Sequence, residues 1–229
     1  MLGSLHMGWR HVLFANWPVD PGVVGPHVPD AMALDTFDGE AWLSVVPFTN
    51  VDVRPTWLPA GWGFRLPELN LRTYVVVDDV PGVSFFTLDA EGVLGVLGAR
   101  LFHHLPYYYA RIDLAVDDGR VRVTAERAHP GARPVSFSAT YGPAGEASAA
   151  EPGSLEAFLV ERYRYYTGSR GGGVRYADVD HEPWPLSAAE ATIRPASLFG
   201  ANGFVVPDAE PVCYYSPGVD TVASPNRPV

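Results

Sequence analysis

The sequence predicts a β-rich α+β fold, and three observations support this prediction. Residues 67–77 alternate strictly between polar and apolar side chains, which is the period of a strand. Residues 107–116 and 120–127 flank the turn Asp117-Asp118-Gly119, as the two strands of a hairpin would. Few segments have helical spacing. The 229 residues contain no Pro/Gly/Ser linker long enough to separate two cores, so we expect a single domain over 1–229, with a disordered start at 1–8 and an irregular tail at 218–229.

The alternating stretch 67–77 organises the rest of the chain. One face would carry Glu68, Asn70, Arg72 and Tyr74, and the other face would be apolar. Such a pattern is commonest in a sheet with one face in the core and one in water. The alternative is that this row of hydrogen-bonding groups lines a concave ligand site. Alternation by itself leaves both interpretations open.

The elements before this stretch are short. Residues 9–17 mix apolar and aromatic side chains and predict a short helix or strand that ends at two prolines. Residues 34–48 predict a hairpin around Asp38-Gly39, since glycine supplies the positive φ of the turn. Residues 51–64 contain two prolines and two tryptophans, and predict a loop or an irregular edge.

The elements after the stretch begin with a central strand. Residues 83–88 are apolar on both faces. Asp89 is a good N-cap, and residues 90–103 have the apolar spacing of a helix that Gly95 and Gly98 weaken. A further strand is predicted at 134–141.

Ser154 predicts the start of a second helix, whose apolar positions continue to Tyr166 before Gly168 ends it. The following run, residues 181–186, is stiffened by two prolines. This run predicts a rigid corner that covers one end of a barrel, with Trp184 as a plug.

Composition excludes several functions. All 16 basic residues are arginine, so lysine Schiff-base chemistry is excluded, and the net charge of −10 argues against nucleic acid as a partner. Cys213 is the single cysteine of the sequence, so an intrachain disulfide is excluded. Neither a signal peptide nor an apolar run of about 18 residues is evident, so we expect a cytoplasmic protein with no membrane partner. Motifs for metals, phosphates and nucleophilic hydrolysis are lacking, so no metal and no cofactor is expected.

The remaining candidates for chemistry are polar and aromatic. Arg72 and Arg100 are candidates for a fork that holds a carboxylate. Glu68 is the candidate catalytic residue, a general acid or base if burial raises its pKa. Further ligand-binding candidates are Asn70, Tyr74, Tyr107 and Tyr108. The structural alternatives are that Glu68 and Arg72 pair with each other or with neighbouring strands, and that the tyrosines pack in the core, since Tyr107, Tyr108 and Tyr109 cannot all face one way on a strand.

A family resemblance adds to this interpretation. The run Pro67–Val75 resembles the hallmark of the YqjF-like family of uncharacterised conserved proteins, and further stretches resemble that family in the expected order. These are Leu34–Gly39, Gly82–Ala90, Leu105–Ala110, Phe158–Tyr163 and His181–Leu186. The resemblance covers about Trp9 to Pro217.

The resemblance implies an acetoacetate decarboxylase-like fold, in which a closed or partly closed antiparallel β-barrel or cone with a few flanking helices surrounds a cavity. In the decarboxylase, a helix with Gly-Arg-Glu leads to a Pro-Lys-Lys turn whose lysine forms the Schiff base. The runs Gly98-Ala99-Arg100 and Pro106-Tyr107-Tyr108 resemble that region, so Tyr107 or its neighbour would replace the lysine, and Glu68 would be the acidic partner.

Together these inferences predict a protein that binds a small carboxylate or carbonyl compound in a barrel cavity, with any catalysis independent of a lysine. Two alternatives stay open. One is a ligand-sensing module without catalysis. The other is a structural or assembly protein whose aromatic residues form an interface, for which a homo-oligomer would be expected.

Overall fold

The computed structural model describes residues 3–92, 105–169 and 172–229. Most of this chain is strand: β1 Leu5–Val19, β2 Ala33–Leu34, β3 Ala41–Pro55, β4 Phe64–Val77, β5 Val80–Ala90, β6 Tyr107–Asp117, β7 Arg120–Arg127, β8 Ser136–Pro143, β9 Arg164–Gly168, β10 Val174–His181, β11 Ser187–Arg194, β12 Val212–Ala223 and β13 Arg227–Pro228. The helices are short: α1 Pro21–Val24, a 3₁₀-helix Gly25–His27, α2 Leu155–Val160 and α3 Leu198–Ala201.

Over the described ranges, the strands form one sheet that closes on itself twice. The pairing order β5-β6-β7-β8-β11-β12-β1-β3-β4 returns to β5, and we call these nine strands the nine-strand ring. A second circuit, the seven-strand ring, runs β4-β5-β9-β10-β12-β1-β3 and returns to β4. The two rings therefore share a wall of five strands, β12-β1-β3-β4-β5. This architecture confirms the predicted β-rich fold with a few short helices.

The nine-strand ring is not a regular barrel, because two of its joins are narrow. β5 and β6 pair in parallel only at Leu88–Ala90 with Tyr107–Tyr109, and β11 joins β12 only at Ser187 and Ala188. The closure is therefore partial, as expected for the predicted cone or partly closed barrel.

Alternation along the shared wall separates two cores. On β4, Leu69 and Leu71 face a hydrophobic core inside the nine-strand ring, while Glu68 and Asn70 face the interior of the seven-strand ring. On β1, Leu13 belongs to the nine-strand core, and its neighbours Val12 and Phe14 belong to the core of the seven-strand ring. Both faces of the wall are therefore buried.

Aspartates shape the tight turns between strands. The β4–β5 hairpin turns on Asp78 and Asp79, with φ of 49° and 61°. The β6–β7 hairpin turns on Asp118 and Gly119, with φ of 46° and 72°. Both positions of a type I′ turn need positive φ, which aspartate and glycine tolerate, and this explains the short connections.

The segment 34–48 differs from the predicted hairpin. Asp38 and Gly39 do form a turn, with a bridge between Phe37 and Glu40. However, β2 pairs with β4 and not with β3. The predicted loop at 51–64 is also shorter than expected, because β3 continues to Pro55 alongside β1.

The helix predicted from Ser154 to Tyr166 is too long. Ser154 caps it as expected, but α2 ends at Val160, and 164–168 form β9 between β5 and β10. Tyr166, which continued the helical spacing, pairs with Tyr176 of β10 instead. Aromatic residues favour strands, and tertiary contacts override helical periodicity.

Four smaller predictions either need correction or fall outside the described residues. Leu5 to Gly8 belong to β1, and residues 218–223 belong to β12, because these two segments pair with each other. Asp89 is not an N-cap but a buried residue of β5. Most of the helix predicted at 90–103 lies outside the described residues.

Candidate functional site

A cavity of about 370 Å³ occupies the interior of the seven-strand ring. Its walls are mainly apolar and aromatic: Phe14, Val46, Phe48, Val83, Leu88 and Trp184. One end lies at Leu5, Pro55 and Phe64, where Phe64 is half exposed. The other end lies at Arg72 and Arg162, next to the end of α2. The cavity thus follows β4 from its start towards its middle.

The polar row of β4 lies along this cavity. Glu68, Asn70 and Arg72 all line it, because alternate residues of a strand share one face. At about 3.3 Å per residue, the Cα atoms of Glu68 and Arg72 are about 13 Å apart along the strand. These three residues therefore place a carboxyl, an amide and a guanidinium at successive positions along the length of the cavity.

Glu68 is buried and has an elevated pKa. Its Oε2 accepts a hydrogen bond from the Tyr107 hydroxyl at 2.8 Å and one from Asn50 Nδ2 at 3.3 Å. Burial raises the pKa of Glu68 to about 7, and the hydrogen bonds from Tyr107, Asn70 and Asn50 oppose this rise. The carboxyl can therefore accept or release a proton near neutral pH.

Tyr107 stays protonated as the partner of Glu68. Its pKa is raised well above the ordinary value of 10.0 by burial and by the neighbouring carboxylate. The start of β6 brings its side chain into the cavity beside Leu88 of β5. Tyr107 is thus a fixed donor.

Asn70 lies between Glu68 and Arg72 and is buried, with 3% exposure. Its Oδ1 has no hydrogen-bond partner within the described part of the chain. A buried polar atom of this kind normally has a partner in the protein, in water or in a ligand. Within the described residues, this acceptor therefore stays without a protein partner in the wall of the cavity.

Among the described arginines that line the cavity, Arg72 is the one without a carboxylate partner. Its Nη2 donates to the carbonyl of Leu159 at 3.2 Å, and its guanidinium lies 5.5 Å from the ring centroid of Phe14. Its buried Nε has no partner, and no ion pair to it is found among the described residues. Glu68 and Arg72 do not pair with each other. Glu68 instead accepts hydrogen bonds from Asn50 and Tyr107 on other strands, as the second structural alternative expected for it.

The other arginines that line the cavity are neutralised. Arg162 pairs with Asp35 at 2.8 Å and donates through Nε to the carbonyl of Phe158 at 2.7 Å. Arg164 pairs with Asp178, and Arg54 pairs with Asp52. Among the described residues that line the cavity, the uncompensated positive charge is therefore that of Arg72.

Aromatic residues and a histidine cover one side of the cavity. Trp184 stacks on Trp9 with ring centroids 5.6 Å apart, and His181 stacks on Tyr163 at 4.6 Å. Burial lowers the pKa of His181, so its ring is neutral at pH 7. Its Nδ1 donates to the carbonyl of Glu182 at 2.8 Å, which leaves Nε2 as an acceptor.

The remaining predicted site residues lie elsewhere. Tyr74 is fully buried and does not line the cavity, because its hydroxyl donates to the carbonyl of Leu159 at 2.9 Å and also contacts Ser44. Tyr108 points to the opposite side of β6, where Arg127 lies 4.1 Å from its ring centroid. Arg100 lies outside the described residues.

Sequence reasoning missed several lining residues. Asn50 and Arg162 come from β3 and from the segment after α2, and no local pattern distinguishes them. His181 and Trp184 lie in the proline-stiffened corner, which the sequence pattern indicated as architecture and not as part of the site. A buried tryptophan between two prolines was the available signal.

Metal-binding clusters and membrane-spanning helices are not found in the described part of the chain. Across these ranges, no group of three His, Cys, Asp or Glu side chains is placed to hold a metal ion. None of the described helices has the length and apolar character needed to cross a membrane.

Comparison with known proteins identifies relatives over nearly the whole chain. Residues 6–220 match the model of the family DUF2071, described as "Uncharacterized conserved protein". The "Uncharacterized protein YqjF" of Bacillus subtilis (strain 168) is 40% identical over 220 residues, which cover 96% of this chain and 90% of that protein. The resemblance seen in the sequence is thereby confirmed.

Solved structures with the same fold are distant in sequence. They include the enduracididine biosynthesis enzyme MppR complexed with pyruvate, at a TM-score of 0.66 and 12% identity, covering 100% of this chain and 91% of that one. Acetoacetate decarboxylase from Legionella pneumophila gives 0.65 and 12%, with 99% and 87% covered. An acetoacetate decarboxylase-like enzyme from Sphingomonas wittichii RW1 gives 0.63 and 14%, with 99% and 93% covered. These similarities show a shared fold.

Proposed function

This chain belongs to the DUF2071 family of uncharacterised conserved proteins, and we propose that it binds a small carboxylate or carbonyl compound in the cavity of the seven-strand ring. The observation that carries this proposal is Arg72. An arginine without an acid partner in the wall of a mainly apolar cavity is a receptor for an anionic group. The low polarity of the walls strengthens its attraction for a carboxylate.

Glu68 supplies the second part of the proposal. With a pKa of about 7, its carboxyl is present in both protonation states at neutral pH. In the protonated state it donates a hydrogen bond to a carbonyl oxygen, and in the ionised state it accepts a proton from the ligand. Tyr107 holds this carboxyl in place at 2.8 Å. Catalysis by this pair would be acid–base chemistry.

The distant structural neighbours add support of a general kind. MppR was solved as a complex with pyruvate, and two other neighbours are named acetoacetate decarboxylase or an enzyme like it. All these names concern carbonyl-containing carboxylates or enzymes that act on them. Because fold does not determine function, they supply probes for an experiment and no more.

A lysine imine is excluded as the mechanism, since the sequence contains no lysine. The remaining choice is between an enzyme that uses Glu68 and a sensor that binds without turnover. Both depend on Arg72 for binding. They differ in whether the ligand is consumed, so one sample distinguishes them.

The experiment is a thermal shift with pyruvate and acetoacetate, followed by proton NMR of the same samples. At about 100 times the dissociation constant, a ligand stabilises the protein by about 2.7 kcal/mol, which raises Tm by roughly 5–10 °C in a chain of this size. Arg72→Gln should abolish the shift. Arg122→Gln is the matched control, because Arg122 is exposed on β7.

The NMR spectra assign the function. Consumption of a ligand by the wild type but not by Glu68→Gln indicates an enzyme, and binding without consumption indicates a sensor. Equal shifts in the wild type and Arg72→Gln would contradict the proposal, and so would the absence of a shift with pyruvate, acetoacetate and larger monocarboxylates alike.

An assembly function has one observation in its favour. Trp57 and Trp62, in the connection between β3 and β4, are each 75% exposed. Large exposed aromatic side chains are common at interfaces. The cavity of about 370 Å³ argues for a ligand all the same, since pockets of this size hold small molecules.

A further inference from the structure

We propose that the natural ligand is a monocarboxylic acid with an apolar body larger than that of pyruvate, and that Trp184 holds its carboxylate together with Arg72. This inference rests on the proposed function and names the ligand class of the same cavity. It gives Trp184 a binding role in addition to its packing role.

The first observation is a second unpaired donor. Trp184 lines the cavity and is only 3% exposed, yet its Nε1–H has no hydrogen-bond partner among the described residues. Leaving such a donor unsatisfied costs about 1–3 kcal/mol, so a native structure normally supplies an acceptor. A carboxylate oxygen in the cavity is a suitable acceptor.

The second observation is that both side chains pack against the ring of Phe14. The guanidinium of Arg72 lies 5.5 Å from the ring centroid of Phe14, and the ring centroid of Trp184 lies 5.0 Å from the same centroid. Each has one buried N–H without a partner, the Nε of Arg72 and the Nε1 of Trp184. We therefore expect one carboxylate beside Phe14 to accept from both donors, one with each oxygen.

The third observation is the size and chemistry of the remaining space. The cavity of about 370 Å³ corresponds to about 12 water molecules in the liquid, so a three-carbon acid would leave much of it filled with water. Most of the wall beyond Arg72 is apolar or aromatic, including Val46, Phe48 and Leu88. Burying an apolar body against this wall is favourable, at about 0.8 kcal/mol per methylene.

The test measures dissociation constants by isothermal titration calorimetry. The ligands are pyruvate, hexanoate, 3-phenylpropanoate and uncharged hexan-1-ol, and the proteins are the wild type, Trp184→Phe and Trp42→Phe. Trp42 is the matched control, because it is buried in the same core and also has an unpaired Nε1 within the described ranges, but it does not line the cavity. Hexanoate and 3-phenylpropanoate distinguish an aliphatic from an aromatic body.

We expect at least one of the two larger acids to bind the wild type at least about tenfold more tightly than pyruvate, since each buried methylene contributes a factor of about four. Trp184→Phe should weaken that acid about tenfold, because it removes one hydrogen bond to a charged group. The same variant should change hexan-1-ol binding by less than about twofold, and Trp42→Phe should behave as the wild type.

Three results would overturn the inference. Tighter binding of pyruvate than of both larger acids would reject the ligand class while leaving the proposed function intact. Equal losses for hexanoate in Trp184→Phe and Trp42→Phe, or for the acid and the alcohol in Trp184→Phe, would reject the role of Trp184. Failure of all three acids to bind the wild type would reject the inference and the proposed function together.

Discussion

The two sides of the shared five-strand wall differ in whether their buried polar groups have hydrogen-bond partners within the described part of the protein. On the side of the nine-strand ring, the carboxylate of Asp89 forms a two-pronged ion pair with Arg127 at 2.6 and 2.7 Å, and Thr87 accepts a further hydrogen bond. On the side of the seven-strand ring, the buried Nε of Arg72 and Oδ1 of Asn70 have no partners within the described residues.

This difference separates structural polar groups from those that we propose to bind a ligand. Burial of a charge is tolerated when the chain itself supplies the partner, as it does for Asp89. Polar atoms left unpaired beside an open cavity cost stability unless a ligand or water completes them. The same wall therefore carries a closed core on one face and the proposed binding site on the other.

Removal of Arg127 should have the largest effect on stability. Arg127→Ala would leave Asp89 charged and unpaired in a site where the two side chains are 3% and 1% exposed. We expect the free energy of unfolding to fall by about 3–5 kcal/mol, as measured by urea denaturation. Arg122→Ala, in an exposed pair on the same strand, should cost less than about 1 kcal/mol. Equal costs would mean that the buried pair is not structural.

The next largest effect is expected in the pH dependence of stability, which Glu68→Gln should change. The folded-state pKa of Glu68 is raised from its ordinary 4.5 to about 7, so the folded protein binds the proton more tightly than the unfolded chain. Wild-type stability from this group is therefore present below about pH 4.5 and is lost as the pH rises through 7, by about 3 kcal/mol in total.

Glu68→Gln removes this loss, because an amide does not titrate. The variant should be more stable than the wild type at pH 8, and this advantage should disappear towards pH 5, as measured by urea denaturation at each pH. Glu146→Gln, at an exposed position, should follow the wild type. A pH-independent difference between Glu68→Gln and the wild type would show that the carboxyl does not titrate in this range.

The fold was predictable to the extent that alternation and turn chemistry specify it. The period of two on 67–77, together with the Asp-based turns, predicts strands and hairpins from local sequence. The second buried face was not predictable from alternation, because a row of polar side chains has the same pattern whether it faces water or a cavity. Only the family resemblance implied a cavity. Only pairing with β9 and β10, from the distant end of the chain, encloses Glu68 and Asn70.

The site was predictable only in part for the same reason. Glu68, Asn70 and Arg72 follow from one strand face. Tyr74 is on the same face of β4 but lies beyond the cavity. There, the carbonyl of Leu159 at the end of α2 accepts a hydrogen bond from its hydroxyl. Trp184 enters from a connection far along the chain, so no spacing on β4 indicates it. Burial, which raises the pKa of Glu68, is a property of the assembled rings and not of local sequence.

The smallest expected effect is the difference in stability between leucine-to-alanine substitutions on the two faces of the wall. Leu71 of β4 is fully buried in the nine-strand core, and Leu88 of β5 is 2% exposed and lines the cavity. Leu71→Ala would create a new void among packed side chains and should cost about 3–4 kcal/mol. Leu88→Ala would enlarge an existing cavity, so fewer packing contacts are lost, and it should cost about 2 kcal/mol less than Leu71→Ala. Urea denaturation of the two variants at pH 5, where Glu68 is mainly protonated, measures this difference. A cost for Leu88→Ala equal to that for Leu71→Ala would indicate that the cavity side is as tightly packed as the core, and would remove the physical basis for a binding site there.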